Sequence, residues 1–406
     1  MRVALFHPDF HTVGGAELLV AMHAGYLAAE GLDTHVATFG LDPRNWSREM
    51  GGIPVEVVRR HHWADPFFGF SVMARCLRRA RRATAFLGKF DVVVAHNYPC
   101  SAMLGYMTIP GRKLWYCHEP SRSLYLREAN PKLNGCLSDG KGADTIALQW
   151  FRKELEAFEA KGRQRSARAR QGFDKAHVGR LEAVAANSDY TRAAIQTIYG
   201  RRSVQVIHPA VRFRTGIGAR QGLDRSGLKV LVHSRLEPLK NVDTVIRGFA
   251  RFLPRCPGAR LHVVGDGHAK PDLERLAAEL LPGGTVQFHG YLPEADLQRV
   301  YEACDVLALL PVDEPFGMVF PEAAVKGLLL IGPDHGGPVE IMDGGRLGWP
   351  VDAFSPEALA ETFNRIWSLE DAEVDRRRRE ADRACRQRYD MQSIGPQVKA
   401  FVQAAG

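Results

Sequence analysis

Val306-Leu307-Ala308-Leu309-Leu310 runs through Pro311-Val312-Asp313 into Glu314-Pro315-Phe316-Gly317-Met318-Val319-Phe320-Pro321-Glu322. A short apolar run of strand length gives way to a polar loop, a Phe-Gly turn and a stretch with helical patterning over 319–326. The same strand-into-helix unit recurs on both sides. Strands are expected at 229–233, 260–264, 286–289, 306–310 and 328–331, with helices near 242–253, 270–280, 294–302 and 356–369. Further out, the first half repeats the alternation, with strands at 3–7, 34–39, 55–59, 91–95, 113–118 and 181–187 and a first helix at 16–30. Strands alternating with helices predict an α/β protein whose parallel sheets are covered by helices.

With 406 residues and about 150 residues per domain, two domains are the simpler reading. The stretch 209–227, with Gly216, Gly218 and Gly222 among polar residues, is the best linker. This divides the chain into a first domain, 1–208, with a helical insertion at 119–180, and a second, 209–385, followed by a terminal helix, 386–406. The apolar share of 45% and charged share of 25% are those of ordinary globular proteins. No apolar run approaches the roughly 20 residues that span a bilayer. Met1 to Phe6 reads as a strand, too short for a signal-peptide apolar core, so a cytoplasmic location is expected. Seven cysteines scattered singly, without a Cys-x-x-Cys pair, point to reduced thiols and to neither disulfides nor zinc.

The charge is lopsided. Residues 1–200 hold 27 Lys+Arg against 19 Asp+Glu, whereas residues 201–406 hold 27 of each. Two basic stretches carry much of the excess: 71–87, with Arg75, Arg78, Arg79, Arg81 and Arg82 beside a narrow apolar stripe, and 161–170 inside the insertion. Such a field attracts an anionic membrane surface at the inner face of the cell membrane, an acidic glycan or a nucleic acid. No nucleic-acid recognition motif accompanies it, so that partner is not expected.

Four segments carry chemistry. Gly14-Gly15-Ala16-Glu17 opens the first helix, where unpaired N–H groups and missing side chains suit a phosphate, but the Gly-x-Gly-x-x-Gly fingerprint of dinucleotide sites is absent. Arg235 and Lys240, in Ser234-Arg235-Leu236-Glu237-Pro238-Leu239-Lys240-Asn241, leave a strand end and can bracket a diphosphate, one as a fork and the other as a point charge. Gly265-Asp266-Gly267 is a second glycine turn after a strand. Glu314 and Glu322 are spaced so that one carboxylate can grip sugar hydroxyls and the other a ribose, since ionised carboxylates accept from hydroxyl pairs. The apolar neighbours of Glu322 argue against a plain surface position. No Asp-x-Asp pair is present, so no metal is expected and the two cations stand in its place.

Glu314 to Glu322 resembles the Glu-x7-Glu motif of retaining glycosyltransferases of the family 4 type. The likeness continues through Gly14-Gly15-Ala16-Glu17, Tyr116-Cys117-His118-Glu119-Pro120, Ala186-Asn187-Ser188, His208-Pro209-Ala210-Val211, Ser234-Arg235 with Lys240, Gly265-Asp266-Gly267 and Gly336-Gly337-Pro338. The resemblance implies a GT-B fold, two facing Rossmann-like domains with an interdomain cleft, and a terminal helix that returns to the first domain. It implies that Arg235 and Lys240 hold the leaving diphosphate, that Glu322 holds the ribose, and that Glu314 with the backbone of Gly317, Met318 and Val319 holds the donor sugar, with Phe316 among the donor-binding residues. Gly14, Gly15, Gly265 and Asp266 would line the donor, His118 would lie near its sugar, and Glu17, Glu119 and Arg122 would meet the acceptor. By the same likeness the enzyme is a hexosyltransferase without a cofactor. Its co-substrate is a nucleotide sugar, GDP-mannose first and a UDP-hexose second, and its acceptor a lipid-linked or polysaccharide glycan. The rival readings are a GT-B epimerase or phosphorylase, which the Glu-x7-Glu pairing fits less well, and an inactive binding subunit, which the intact cations and carboxylates disfavour.

Overall fold

The computed structural model describes residues 1–11, 14–46, 49–58, 72–213 and 221–404. Arg59, Ser71, Gly216 and Gly218, which belong to expected strand, helix and linker, lie outside these residues, as do the side chains of 72–76 and 161–163. The chain forms two compact units, one of Met1–Ala129, Phe158–Ala210 and Met391–Gly406, the other of Asn130–Ala157 and Val211–Asp390.

The first unit holds seven parallel strands, β1 (Arg2–Phe6), β2 (Asp33–Thr38), β3 (Val55–Val57), β4 (Val92–His96), β5 (Arg112–Cys117), β6 (Ala183–Ala186) and β7 (Gln205–Val206), in the order β3-β2-β1-β4-β5-β6-β7. The second holds six, β8 (Lys229–His233), β9 (Arg260–Val264), β10 (Val286–Gly290), β11 (Val306–Ala308), β12 (Leu329–Pro333) and β13 (Trp349–Val351), in the order β10-β9-β8-β11-β12-β13, again all parallel. Both are the doubly wound order in which the chain reverses direction across the sheet, between β1 and β4 and between β8 and β11. Loops at the C-terminal ends of those strand pairs diverge and leave room for a ligand. The sequence reading missed β7 and β13. Both are edge strands of two or three residues, and Pro350 in β13 is a residue that sheets tolerate only at an edge.

Apolar side chains cover both faces of the first sheet. On one face the terminal helix Met391–Gln403 delivers Ile394, Val398, Phe401 and Val402 against Leu19, Val20 and Leu27. On the other, helix Val72–Leu87 inserts Ala80, Ala83 and Leu87 beside Met103 and Leu104. Those three side chains belong to the core, while Arg81 and Arg82 remain exposed. No helix among the described residues is long and apolar enough to cross a membrane.

The insertion is shared out. Helix Lys161–Val178 clusters with the first unit, but helix Pro131–Asp139 and nearly all of Ile146–Glu159 cluster with the second, whereas the sequence reading placed all of 119–180 in the first domain. Helix ends explain the allegiance. The first-turn amides of Lys132 and Leu133 donate to the two carboxylate oxygens of Asp313 at 3.1 and 3.2 Å, and the amide of Ile146 donates to Asp243 Oδ2 at 3.1 Å. Those amides have no partner inside their own helices, so carboxylates from the second unit complete them. Burial pushes Asp243 up to about 6, with the Ile146 N–H pulling the other way.

Candidate active site

In the second unit the reversal between β8 and β11 collects the expected donor residues. Past β8, the Ser234 amide donates to Val264 O at 3.1 Å and the Leu236 amide to Asp266 O at 2.8 Å, which lays the Arg235 loop along the Gly265-Asp266-Gly267 turn. Gly265 has φ of +125°, and a Cβ there would overlap the Ser234 carbonyl oxygen. The loop then makes a single 3-10 turn, Pro238–Lys240, and Asn241 takes a left-handed backbone with φ of 54°. The Asn241 amide side chain donates to Leu310 O at 3.0 Å and Ala353 O at 2.6 Å, and the Val312 amide to Leu239 O at 2.9 Å. The turn that bears Lys240 is therefore stitched to the loop that bears Glu314.

The result is a direct contact. Lys240 Nζ donates to Glu314 Oε2 at 2.5 Å, with the two side chains 26% and 17% exposed. An ammonium has three donors; one is engaged here and no other described group takes the remaining two. Arg235 shares the loop, is exposed, and forms no hydrogen bond or ion pair with any described residue. Glu322, on helix Val319–Val325, is half-buried near Lys326, whose Nζ lies 4.1 Å from the centroid of the Tyr301 ring. Burial pushes the Glu322 carboxyl up to about 7, against the pull of Lys326. Tyr301 OH in turn pairs with His233 Nδ1 at 2.8 Å. The Phe316 ring is buried edge-on against Tyr389, 5.4 Å between centroids. Asp266 is exposed and accepts from the Gly267 amide at 2.8 Å, with Lys270 at 3.6 Å.

In the first unit the reversal between β1 and β4 collects histidines. His7 follows β1, His96 ends β4 and His118 follows β5, so three neighbouring strands each end in an imidazole. His96 Nδ1 and His118 Nε2 are 3.0 Å apart, and His7 Nε2 meets the Asn97 amide at 3.1 Å. His23, from helix Gly15–Ala29, and Tyr116 complete a buried aromatic cluster. Burial pushes His7 down to about 4 and His23 to about 3, and holds His96 and His118 well below the usual histidine range. All four are neutral at pH 7. Of these only His118 was singled out from sequence. The readable signal for His7 and His96 was their place at or beside strand ends, where a lone histidine looks like any core residue; His23, mid-helix, gave none.

The acidic candidates of this unit have internal partners. Glu17 folds its carboxylate over Gly14, 3.9 Å from His7 Nε2, so the start of the first helix meets a negative charge from its own first turn. Glu119 and Arg122, expected to meet the acceptor, pair with each other at 2.9 Å. Among the described residues no group of three or more His, Cys, Asp or Glu side chains is placed to hold a metal ion.

Two doubly wound parallel sheets in one chain, each with polar side chains at its reversal, are the GT-B architecture. Residues 13–213 match the model of Glycosyltransferase Family 4, and residues 217–385 that of Glycosyl transferases group 1. A D-inositol 3-phosphate glycosyltransferase of Streptomyces avermitilis is 35% identical over 181 residues, 40% of this chain and only 39% of that relative's length. Its counterpart in a Nocardioides species is 26% identical over 399 residues, 89% of this chain and 79% of the relative. A solved structure of Anabaena HepE in complex with UDP and glucose superposes with a TM-score of 0.73 at 18% identity, covering 99% of this chain and 100% of that one. The chain belongs to the family 4 type of GT-B glycosyltransferases.

Proposed function

We propose that the protein moves a hexose from a nucleoside diphosphate sugar to a glycan, lipid-linked or polyol acceptor with retention of the anomeric configuration. The observation that carries this is the Lys240–Glu314 pair at the β8/β11 reversal, on the loop that also carries Arg235, whose guanidinium has no partner among the described residues. Breaking the anomeric C–O bond builds positive charge on the sugar and negative charge on the diphosphate. Arg235 and the two uncommitted Lys240 donors neutralise the departing phosphates, and Glu314 holds the ammonium in register while facing the sugar. Groups already in place need no reorganisation as the charge develops, which is what makes such stabilisation effective. His118, neutral and at a strand end, is the first unit's candidate for the donor sugar by the family likeness alone.

GDP-mannose remains the first donor to test. HepE is solved with UDP and glucose, and the relatives are named for D-inositol 3-phosphate, which supports adding UDP-hexoses and inositol 3-phosphate. Purified protein is offered GDP-mannose, UDP-glucose and UDP-galactose, with and without inositol 3-phosphate. We expect one donor to raise the unfolding temperature and to be consumed. A panel in which no nucleotide sugar is either bound or turned over would remove the reading. The membrane proposal rests on the exposed cations Arg81, Arg82, Arg165 and Arg168, with Ala80, Ala83 and Leu87 of the first of these helices buried in the core. Contact with anionic lipid would therefore be electrostatic and lost at high salt; the same assay on anionic and neutral vesicles reads this out.

Glu322 makes the activity pH-dependent. A ribose clamp needs the ionised acceptor, and its carboxyl titrates at about 7. We expect kcat/KM for the donor to rise with pH through an apparent pKa near 7, and the rise to disappear in Glu322→Gln. The stability effect has the opposite sign. A carboxyl whose pKa is raised from 4.5 on folding destabilises the fold progressively from pH 4.5 up to about 7, so the glutamine variant gains stability relative to wild type above that range. A wild-type profile retained in Glu322→Gln would assign the titration to another group.

A further inference from the structure

Residues 312–314 tie the loop of Glu314 to three other segments of the second unit, and the tethers converge on Asp313. Its backbone is left-handed, with φ of 55°, and its side chain is fully buried. We propose that Asp313 is a positioning residue for Glu314, fixing the direction in which that carboxylate leaves the loop and so holding it on Lys240. The inference rests on the role given to the Lys240–Glu314 pair under the proposed function.

The backbone is the first support. Val312 is buried, whereas the Glu314 carboxylate is partly exposed against Lys240. A left-handed residue between them turns the chain, and aspartate is one of the few side chains that visits this conformation. Such a conformation persists only where surrounding groups enforce it, and its presence at a candidate site points to function. The enforcing groups are the second support. Asp313 Oδ1 and Oδ2 accept the amides of Lys132 and Leu133 at 3.1 and 3.2 Å, at the positive end of helix Pro131–Asp139. The Asp313 amide donates to His335 Nε2 at 3.2 Å, which leaves the ring proton on Nδ1, and Nδ1 donates to Asp334 Oδ1 at 3.0 Å. Lys132 Nζ, 3.5 Å from that same oxygen, closes the ring of contacts. On either side, the Val312 amide donates to Leu239 O and the Gly337 amide to Glu314 O, both at 2.9 Å. Capping the helix needs only the Asp313 carboxylate. The left-handed backbone and the His335 contact act on the loop instead, one residue from the group that meets Lys240.

The test uses the full chain with lysine isotope-labelled at Cε and Nζ, the Lys240 NMR signal being assigned with Lys240→Arg. Asp313→Gly keeps the left-handed backbone and loses the carboxylate, Asp313→Asn keeps the backbone and one acceptor oxygen, and His335→Phe keeps a ring without an acceptor. In Asp313→Gly and His335→Phe the Lys240 signal should move towards its position in Glu314→Ala, and in Asp313→Asn it should return towards wild type. Turnover in Asp313→Gly should fall about 10- to 100-fold, as for a misplaced catalytic group, with substantial recovery in Asp313→Asn. Donor KM should stay within a few-fold of wild type, since Arg235 and Lys240 remain to bind the diphosphate. A plain helix cap would lower the unfolding temperature of Asp313→Gly and leave both the Lys240 signal and the turnover of the folded protein unchanged, and that result overturns the inference. Should Asp313→Gly fail to fold, His335→Phe decides, and a wild-type Lys240 signal there overturns it equally. The signal is read without substrate, so a protein inert towards every nucleotide sugar would refute the proposed function while the role of Asp313 is still decided by the spectrum.

Discussion

Lys240→Ala lowers turnover by about 100-fold or more, the usual loss on removing one preorganised charge-stabilising donor, while the unfolding temperature moves little. The side chain is only partly buried and is delivered by a turn whose own hydrogen bonds, from Asn241 to Leu310 and Ala353, do not involve it. The substitution removes two uncommitted ammonium donors and also leaves Glu314 without the cation that holds it. Glu314→Ala undoes the same pairing from the other side. The two losses should therefore be less than additive in the double variant, since side chains in direct contact are energetically coupled. Single-turnover rates with the donor identified by the panel measure this. Near wild-type turnover in Lys240→Ala would separate the ion pair from the chemistry.

Gly265→Ala should cost about 3 kcal/mol or more, combining a backbone conformation that side chains rarely adopt with a clash in packed surroundings. At φ of +125° the new methyl overlaps the Ser234 carbonyl oxygen. Neither partner can retreat, because the Gly265 amide is bonded to Gly290 O at 2.9 Å and the Ser234 amide to Val264 O at 3.1 Å. In a unit of this size the penalty corresponds to a fall of roughly 6–12 °C in unfolding temperature. The displaced loop is the one that bears Arg235 and Lys240, so donor affinity should fall as well. An alanine variant that melts within a degree of wild type would show that the Arg235 loop is not held against this turn.

The two predictions differ in how far the sequence announces them. Strands β8 and β9 lie within their expected bounds because each is a compact apolar run closed by polar or glycine residues. The strands β7 and β13 are too short for any periodicity to register. The closeness of Lys240 to Glu314, far apart along the chain, follows from the reversal of strand order and reached the sequence reading only through the family resemblance. What was not legible depends on distant partners: the His96–His118 contact needs the pairing of β4 with β5, Glu17 turns back on Gly14 and His7, and the allegiance of residues 130–157 is decided by Asp313 and Asp243. No local pattern around a helix start reveals that its cap is a carboxylate from another part of the chain.

That last arrangement has a consequence for biosynthesis. The helices that Asp313 and Asp243 complete leave the ribosome well before the strands on which they settle, so the second sheet cannot finish its assembly from its own stretch of polypeptide. A gene cut at the linker would yield a C-terminal fragment missing two of its own helices and displaying acceptors made for amides it no longer carries.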